Sequence, residues 1–140
     1  MKREIIITDD GSTTIYIPDW NEQYHSKHGA IQEAYHVFIN AGLEYFLTQL
    51  QPKPLKILEI GFGTGLNAFI TLLEADKNKI PINFTGVEAY PISSSEIEKL
   101  NYPLQLNSSD EYFKKLHQGK WEQQISISDH FSILKRMQFF

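Results

Sequence analysis

The feature that most constrains the fold is an apolar run that leads directly into a glycine-rich loop. The run Leu-Lys-Ile-Leu-Glu-Ile occupies residues 55–60, and Gly-Phe-Gly-Thr-Gly occupies 61–65. Apolar residues at helical spacing follow at Leu66, Phe69, Ile70 and Leu73. The run predicts a strand buried on both faces, and the spacing predicts a helix that covers the sheet. With a second strand that ends at Glu88, these segments form a βαβ unit. We therefore predict a parallel sheet and an α/β fold.

The residues before this unit predict a hairpin and a helical region. Two β-branched stretches flank the turn Asp10-Gly11, and a polar loop follows over 18–30. Helical spacing runs from Ile31 to about Leu50, with a break expected at Gly42 and a stop at the prolines of 52–54. Further predicted elements are a helix capped by Ser93 with Glu96 or by Ser95 with Glu98, a helix over 109–118, and strands over 123–128 and 131–137.

Composition excludes several classes of function. The 140 residues contain no cysteine, so disulfides, thiol catalysis and cysteine-ligated zinc are excluded. The net charge of −4, with 13 lysines and arginines spread along the chain, predicts no basic face for tight unaided RNA binding. The sequence has no long apolar run and no secretion signal, so we expect no membrane span and a cytoplasmic location.

The spacing of the loop glycines separates three kinds of ligand. Gly61, Gly63 and Gly65 give G-x-G-x-G, whereas dinucleotide enzymes prefer G-x-G-x-x-G and would need a glycine where Leu66 stands. No Lys-Ser/Thr pair follows, which excludes a Walker-type phosphate loop. S-adenosylmethionine has no phosphate and needs a carboxylate at the end of the next strand, where Glu88 can accept hydrogen bonds from the ribose hydroxyls. Glu59 could face the cationic amino-acid end of the same ligand.

Two longer segments carry a resemblance to a known family. The segment TDDGSTTIYIPDWNEQYHSKHGAIQEAYHVFINAGL, followed by ILEIGFGTGLNAF, resembles the methyltransferase domain of the MnmC type, a tRNA-modification family. Trp121 and SDHFSILK also resemble the family, so the similarity runs from Thr8 to about Leu134. It implies a partial Rossmann-like class I S-adenosylmethionine methyltransferase sheet over 31–140, preceded by a hairpin and loop over 1–30. The implied activity is methylation of aminomethyl-uridine at the tRNA wobble position.

The resemblance also implies a set of cofactor-binding residues. Glu88 would bind the ribose hydroxyls, and no catalytic residue is assigned. The residues implied on the methionine and ribose side are Glu59, Gly61, Phe62, Gly63, Thr64, Gly65, Leu66 and Asn67. Those implied to border the same pocket from the segment before the sheet are Tyr24, Ser26, Gly29 and Glu33.

The chain departs from the family pattern at its C-terminus. The family continues with a strand that ends in an Asp-Ala-Phe-Ala-Pro-like motif, whereas this sequence stops at Lys-Arg-Met-Gln-Phe-Phe. The chain is then either a piece of a longer protein or a shortened relative, and we expect the piece, with the family's downstream acid, the candidate base, outside it. A fold cut there would expose a strand edge and an apolar sheet face, which predicts self-association.

Other functions remain open on the sequence alone. The glycine loop and Glu88 would serve a methyltransferase of the same fold with a small-molecule or protein substrate equally well. A non-catalytic remnant that binds cofactor or a partner is a further alternative, and a nicotinamide-dependent oxidoreductase is disfavoured by the misplaced third glycine. His25, His28 and His36 lack converging partners for a metal site, so we expect no metal and a packed His36. The aromatic residues Tyr112, Phe113 and Trp121 are expected in the core.

Overall fold

The computed structural model of the chain describes residues 1–49 and 54–139. The strands are β1 Glu4–Ile7, β2 Thr13–Ile17, β3 Glu22–Gln23, β4 Leu55–Ile60, β5 Ile82–Glu88, β6 Gln124–Ser128 and β7 Phe131–Met137. The helices are α1 Ala30–Ala34, a π-helical segment Tyr35–Glu44, α2 Tyr45–Gln49, α3 Leu66–Asn78, α4 Ser94–Glu98, α5 Tyr102–Gln105 and α6 Glu111–Gln118. A 3₁₀ turn covers Pro18–Trp20.

The main sheet is mixed and contains the predicted βαβ unit. Its strand order is β4-β5-β7-β6, with β4, β5 and β7 parallel and β6 antiparallel to β7. The coarse α/β prediction is therefore confirmed. The carboxyl ends of β4 and β5 lie side by side, which brings the loop after β4 next to the last residue of β5.

The helices pack against one face of this sheet. Leu55, Ile82 and Phe131 are neighbours across the strands, and they belong to the same core as α3 and α6. Side chains alternate along a strand, so Leu58 and Ile60 of β4 point to the other face, where they are 64% and 55% exposed. The prediction that this strand is buried on both faces was wrong, because β4 is an edge strand whose second face has no layer over it in the described residues.

The helical region after residue 30 does not break at Gly42. The chain passes from α1 into π-helical winding over Tyr35–Glu44 and then into α2, and Ala34 and Tyr45 at the two junctions keep helical backbone angles. Ile39 and Leu43 are buried within the π-helical segment and hold it against the core. The predicted end at Leu50 and the stop at Pro52 lie outside the described residues.

The N-terminal sheet, of order β1-β2-β3, is fastened to the region after β5. The side-chain oxygen of Asn101 accepts hydrogen bonds from the backbone N–H and the hydroxyl of Thr13, at 2.9 and 3.0 Å. Arg3 donates to the carbonyl of Tyr90 and to the carboxylate of Glu96, both at 3.0 Å. The hairpin prediction is confirmed, and the segment predicted as a loop contains the 3₁₀ turn and the short strand β3.

Two helices and two strands after β5 follow the sequence closely. Ser93 caps α4 with a reciprocal hydrogen bond to Glu96, as the first of the two capping boxes predicted. Helix α6 buries Phe113 and Leu116, and β6 and β7 fall within their predicted ranges. Within the described residues, no helix is both long enough and apolar enough to cross a membrane.

Candidate functional site

A cavity of about 590 Å³ opens at the carboxyl ends of β4 and β5. This volume lies within the range of roughly 300–1,000 Å³ typical of small-molecule sites. We divide its lining residues by their place in the chain into an N-terminal wall, up to residue 38, and a loop wall, from residue 59 onward. The loop wall consists of Glu59, Gly61, Phe62, Gly63, Thr64, Leu66, Asn67, Glu88, Ala89, Tyr90 and Phe139. The N-terminal wall consists of Met1, Ile17, Trp20, Tyr24, His25, Glu33, Ala34, Val37 and Phe38.

The glycine loop folds back onto the end of β5 and uses most of its own amides. The N–H groups of Gly61 and Phe62 both donate to the carbonyl of Val87, at 2.8 and 2.9 Å, and Gly65 N–H donates to the carbonyl of Phe62. All three glycines have positive φ, between 57° and 88°. A side chain added at Gly61 would meet no atom within 4 Å, so this glycine leaves open space in the cavity.

Thr64 of the glycine loop is held by hydrogen bonds from two helices, α5 and α6. His117 of α6 lies 2.9 Å from the Thr64 carbonyl through Nε2, which must carry the proton in this contact, and the Tyr102 hydroxyl donates to Thr64 Oγ1. Burial lowers the pKa of His117 to about 4, so the ring is neutral at pH 7. These contacts hold Thr64 in a fixed position, and Thr64 also lines the cavity.

Glu88 ends β5 and ties the two strand ends together. Its Oε2 accepts the N–H of Gly63 at 2.8 Å, and its Oε1 accepts the N–H of Tyr90 at 3.1 Å. Each carboxylate oxygen can accept a second hydrogen bond, so both keep an acceptor position for a ligand. A vicinal diol is the simplest ligand group that would use the two positions together.

Glu59 and Asn67 form a buried polar pair with two unused acceptors. Asn67 Nδ2 donates to Glu59 Oε2 at 2.7 Å, while Glu59 Oε1 and Asn67 Oδ1 have no hydrogen-bond partner among the described residues. Burial, with a smaller effect from the Glu88 carboxylate, raises the pKa of Glu59 to about 8 against the opposing effect of the Asn67 hydrogen bond. Buried acceptors without partners are rare in proteins, and both residues line the cavity. This pair fits a ligand that brings hydrogen-bond donors or a positive charge.

Three carboxyl groups line the cavity, and one of them, Glu59, is mostly neutral at pH 7 until a positive ligand group binds. Glu33, Glu59 and Glu88 line it, and no lysine or arginine side chain does among the described residues. Arg3, close to the loop wall, is engaged with Glu96 and with backbone carbonyls. A phosphate-bearing ligand would therefore meet carboxylates and few free loop amides, whereas a cationic ligand would be stabilised.

The N-terminal wall brings Tyr24, His25 and Glu33 to the cavity. Tyr24 packs closely on the loop, because a side chain added at Gly63 would stand 3.2 Å from its ring. Burial lowers the pKa of His25 to about 4, and its Nδ1 is 2.8 Å from the hydroxyl of Thr14. Glu33 accepts the N–H of Ser26 at 3.1 Å, which fixes its carboxylate beside the cavity.

The structure brings most of the residues singled out in the sequence to one place. Those that line the cavity are Tyr24, Glu33, Glu59, Gly61, Phe62, Gly63, Thr64, Leu66, Asn67 and Glu88. Ser26, Gly29 and Gly65 are not among its lining residues. Ser26 orients Glu33, Gly29 packs against the Asp10 carboxylate, and Gly65 gives room to His117 and Phe62.

Sequence reasoning missed the apolar part of the lining and one histidine. Trp20, Tyr90 and Phe139 line the cavity, as does His25, which the sequence presented only as a poor metal ligand. No pattern in the sequence connects Trp20 with Phe139, since they are distant along the chain. His36 is exposed, so the prediction that it packs was wrong, whereas Phe113 lies in the core as expected. In the described part of the chain, no cluster of three potential metal ligands occurs.

Comparison with known proteins gives partial matches. No family model matches the chain. It is 35% identical over 101 residues to the tRNA 5-methylaminomethyl-2-thiouridine biosynthesis bifunctional protein MnmC of Acidovorax sp. (strain JS42), which covers 69% of this chain and 15% of that protein. It is 37% identical over 84 residues to the protein of the same name from Leptospira borgpetersenii, which covers 57% of this chain and 13% of the relative. The chain thus spans about one seventh of the length of these curated relatives.

A solved structure has a similar fold. The crystal structure of MNMC2 from Aquifex aeolicus superposes with a TM-score of 0.73 over 99% of this chain and 43% of that one. The sequence identity is 22%, so the likeness concerns the fold.

Proposed function

We propose that this chain forms the cofactor-binding part of an S-adenosylmethionine-dependent methyltransferase that acts on aminomethyl-uridine at the wobble position of tRNA. The names of the curated relatives, which refer to tRNA 5-methylaminomethyl-2-thiouridine biosynthesis, support the substrate class. The main observation in favour of this cofactor is the acidic cavity at the glycine loop, with Glu88 at the end of β5. A tRNA-modifying enzyme would work in the cytoplasm, and tRNA would be its partner.

The residues present suit this cofactor better than a dinucleotide. The sulfonium and ammonium groups of S-adenosylmethionine are positive, and the cavity offers carboxylates without lysine or arginine. A pyrophosphate needs free amides at the loop, yet Gly61, Phe62 and Gly65 donate within the protein and Gly63 donates to Glu88. A nicotinamide dinucleotide therefore fits poorly, for a reason independent of the glycine spacing.

Each part of the loop wall has a role in this proposal. Glu88 would accept the two ribose hydroxyls through the free positions of its oxygens. Glu59 and Asn67 would take the ammonium of the methionine end with the acceptors that now lack partners. The open space at Gly61 would let the backbone approach the ligand. The remaining proposed contacts come from Phe62, Gly63, Thr64, Gly65 and Leu66 on the loop side, and from Tyr24, Ser26, Gly29 and Glu33 on the N-terminal side.

The cofactor, when bound, supplies an electrophilic methyl group. The protein contributes placement, because transfer requires the amine nitrogen of the substrate in line with that methyl, and correct alignment accounts for much of the rate in such reactions. The nitrogen must react as the neutral amine, so the proton of its ammonium form has to leave first, and no residue of this chain is assigned as the base that takes it. The glycine loop would hold the cofactor in a fixed position, because its residue Thr64 is hydrogen-bonded to His117 and Tyr102. The acidic lining stabilises cationic reactants, and its burial keeps water from screening that interaction.

Calorimetric titration of the chain with S-adenosylmethionine tests the proposal. We expect micromolar binding by the wild-type protein and at least tenfold weaker binding by Glu88→Ala, since hydrogen bonds to a charged group contribute about 1.5–3 kcal/mol each. Glu98→Ala, which changes an exposed carboxylate outside the cavity, should bind like the wild type. Circular dichroism melts confirm that each variant is folded.

A titration with NAD and a methylation assay complete the test. NAD should not bind, and S-adenosylmethionine with an anticodon stem-loop RNA that carries 5-aminomethyluridine should yield methylated RNA. Binding of NAD, or absence of cofactor binding by the folded wild-type chain, contradicts the cofactor assignment. If the cofactor binds but neither this chain nor a longer one that contains it methylates that RNA, the substrate assignment is wrong.

A further inference from the structure

Exposed apolar side chains gather at the mouth of the cavity. Trp20 is 60% exposed and Phe139 is 73% exposed, and Met1, Val37 and Tyr90 are exposed beside them. Single exposed apolar residues are ordinary on protein surfaces, but a cluster around one cavity is typical of a binding site. The roles proposed above for the loop wall leave this apolar rim unexplained.

The aromatic residues of the rim come from two distant parts of the chain. Trp20 ends the 3₁₀ turn Pro18–Trp20, and the next residue, Asn21, closes the turn and accepts a hydrogen bond from the Tyr16 hydroxyl at 2.9 Å. This turn presents the indole from a fixed position on the N-terminal wall. On the loop wall, the rings of Tyr90 and Phe139 contact each other edge to face, with centroids 5.6 Å apart.

The position of the proposed cofactor contacts leaves Trp20 for the other reactant. The acceptors for the ribose and the ammonium, in Glu88 and in the pair of Glu59 and Asn67, all belong to the loop wall. The roles proposed for the loop wall include no contact with Trp20, which lines the same cavity as Glu33. This part of the lining is therefore available to the second reactant.

The chemistry of this entrance fits a planar ring with a positive substituent. An indole offers a large flat face on which any nucleobase can stack, and unpaired RNA bases are commonly held in this way. The carboxylate of Glu33, fixed by the Ser26 N–H, can face an ammonium group. The acidic lining repels phosphates, so the base would enter the cavity while the RNA backbone stays outside.

We propose that Trp20 is the stacking platform for the nucleobase that is methylated. This inference rests on the proposed function and adds to it the residue that positions the substrate. The base would be displaced from the RNA, stack on the indole and direct its aminomethyl group between the two walls.

Tryptophan fluorescence gives a direct test, because the chain contains two tryptophans. Trp121 packs edge-on against Phe62, and Trp121→Phe keeps an aromatic ring there while leaving Trp20 as the single fluorophore. We expect saturable quenching of this variant when an anticodon stem-loop RNA with 5-aminomethyluridine is added in the presence of S-adenosylhomocysteine. Trp20→Phe in the wild-type background, which leaves only Trp121, should show little quenching.

Affinity measurements separate stacking from a structural role. We expect Trp20→Ala to weaken binding of that RNA about tenfold or more, and Trp20→Phe to recover most of the loss. Leu104→Ala, a change at another exposed apolar residue that lies away from the cavity, should leave RNA binding unchanged. Calorimetry with S-adenosylmethionine should give the same affinity for all these variants.

Several outcomes would overturn the inference. RNA binding without quenching of Trp20, or no RNA binding by the wild-type protein, removes the stacking role, while intact cofactor binding leaves the cofactor assignment standing. Quenching by S-adenosylhomocysteine alone would assign Trp20 to the adenine of the cofactor. Competition by a lysine-containing peptide, with no effect of the RNA, would assign the entrance to a protein substrate.

Discussion

At the scale of single residues, the pair Glu59 and Asn67 shows how burial creates a site. A carboxylate next to a glycine loop is common in sequences, yet this one is buried and has one hydrogen-bond partner within residues 1–49 and 54–139. Its raised pKa of about 8 means that the unliganded site is mostly protonated at pH 7. A positive ligand group would shift that equilibrium, since it stabilises the ionised form.

We therefore expect ligand binding near pH 7 to release about one proton from Glu59. S-adenosylhomocysteine is the suitable probe, and its binding enthalpy at pH 7 should vary with the ionisation enthalpy of the buffer. Binding should strengthen as the pH rises from about 6 to 8, because less free energy is needed to ionise Glu59. Glu59→Gln should abolish the part of the proton release that Glu59 supplies.

The unliganded protein provides a second readout of the same group. The pKa of Glu59 is about 8 in the folded chain and near its ordinary value of 4.5 in the unfolded chain. The stability it contributes is therefore fully present below about pH 4.5 and is lost as the pH rises toward 8. Urea melts of Glu59→Gln should show a smaller decline in unfolding free energy over this range. Equal pH dependence in the two proteins would contradict the assignment.

At the scale of elements, the conformation of the glycine loop depends on packing against helix α6 as well as on its own sequence. The three glycines share positive φ, but their surroundings differ. Gly61 faces open space, whereas a side chain at Gly65 would stand 2.9 Å from His117 Nε2 and 3.1 Å from Phe62. Spacing alone could not distinguish them, because the difference comes from α6, far along the chain.

The two outer glycines give a matched pair of substitutions. Gly61→Ala should lower the free energy of unfolding by about 1–2 kcal/mol through backbone strain alone. Gly65→Ala adds a clash with buried rings and should lower the free energy of unfolding by about 1–3 kcal/mol more, as in overpacked cores. Chemical denaturation of both variants measures the difference. Equal decreases in unfolding free energy would show that His117 and Phe62 move aside at little cost, and that the helices do not fix the loop.

At the scale of the whole molecule, the main sheet is covered on one face. The helices bury the face that contains Leu55 and Ile82, while Leu58 and Ile60 of the edge strand β4 are exposed on the other. In the described part of the chain, these two exposed apolar side chains lie on a strand with one unpaired edge, an arrangement that favours association between copies. The self-association expected from the sequence thus has a specific candidate surface.

We expect the wild-type chain to associate at micromolar concentration and the double variant Leu58→Lys with Ile60→Lys to remain monomeric. Both positions are exposed, so the melting temperature should change little, while charge repels a second copy. Sedimentation velocity over a range of concentrations measures this. Leu104→Lys, at an exposed position of α5, is the control and should associate like the wild type. A monomeric wild-type chain would contradict the prediction.

Local patterns were sufficient for much of the fold. The hairpin, the βαβ unit and the Ser93 cap depend on contacts between residues close in sequence or on strong periodicity, so the sequence predicts them correctly. The break at Gly42 failed for a tertiary reason. Burial of Ile39 and Leu43 outweighs the weak helix propensity of a single glycine.

The sequence by itself determined the α/β class, the place of the glycine loop between a strand and a helix, and the carboxylate at the end of the next strand. These follow from residue types whose backbone preferences and periodicity act over a few positions. Only the tertiary structure decided that Glu59 and Asn67 each keep an acceptor without a partner among the described residues, that β4 lies at the edge of the sheet there, and that Trp20, Tyr90 and Phe139 line one cavity. Burial and proximity between distant segments are properties of the packed chain, because they depend on how the two walls come together in space.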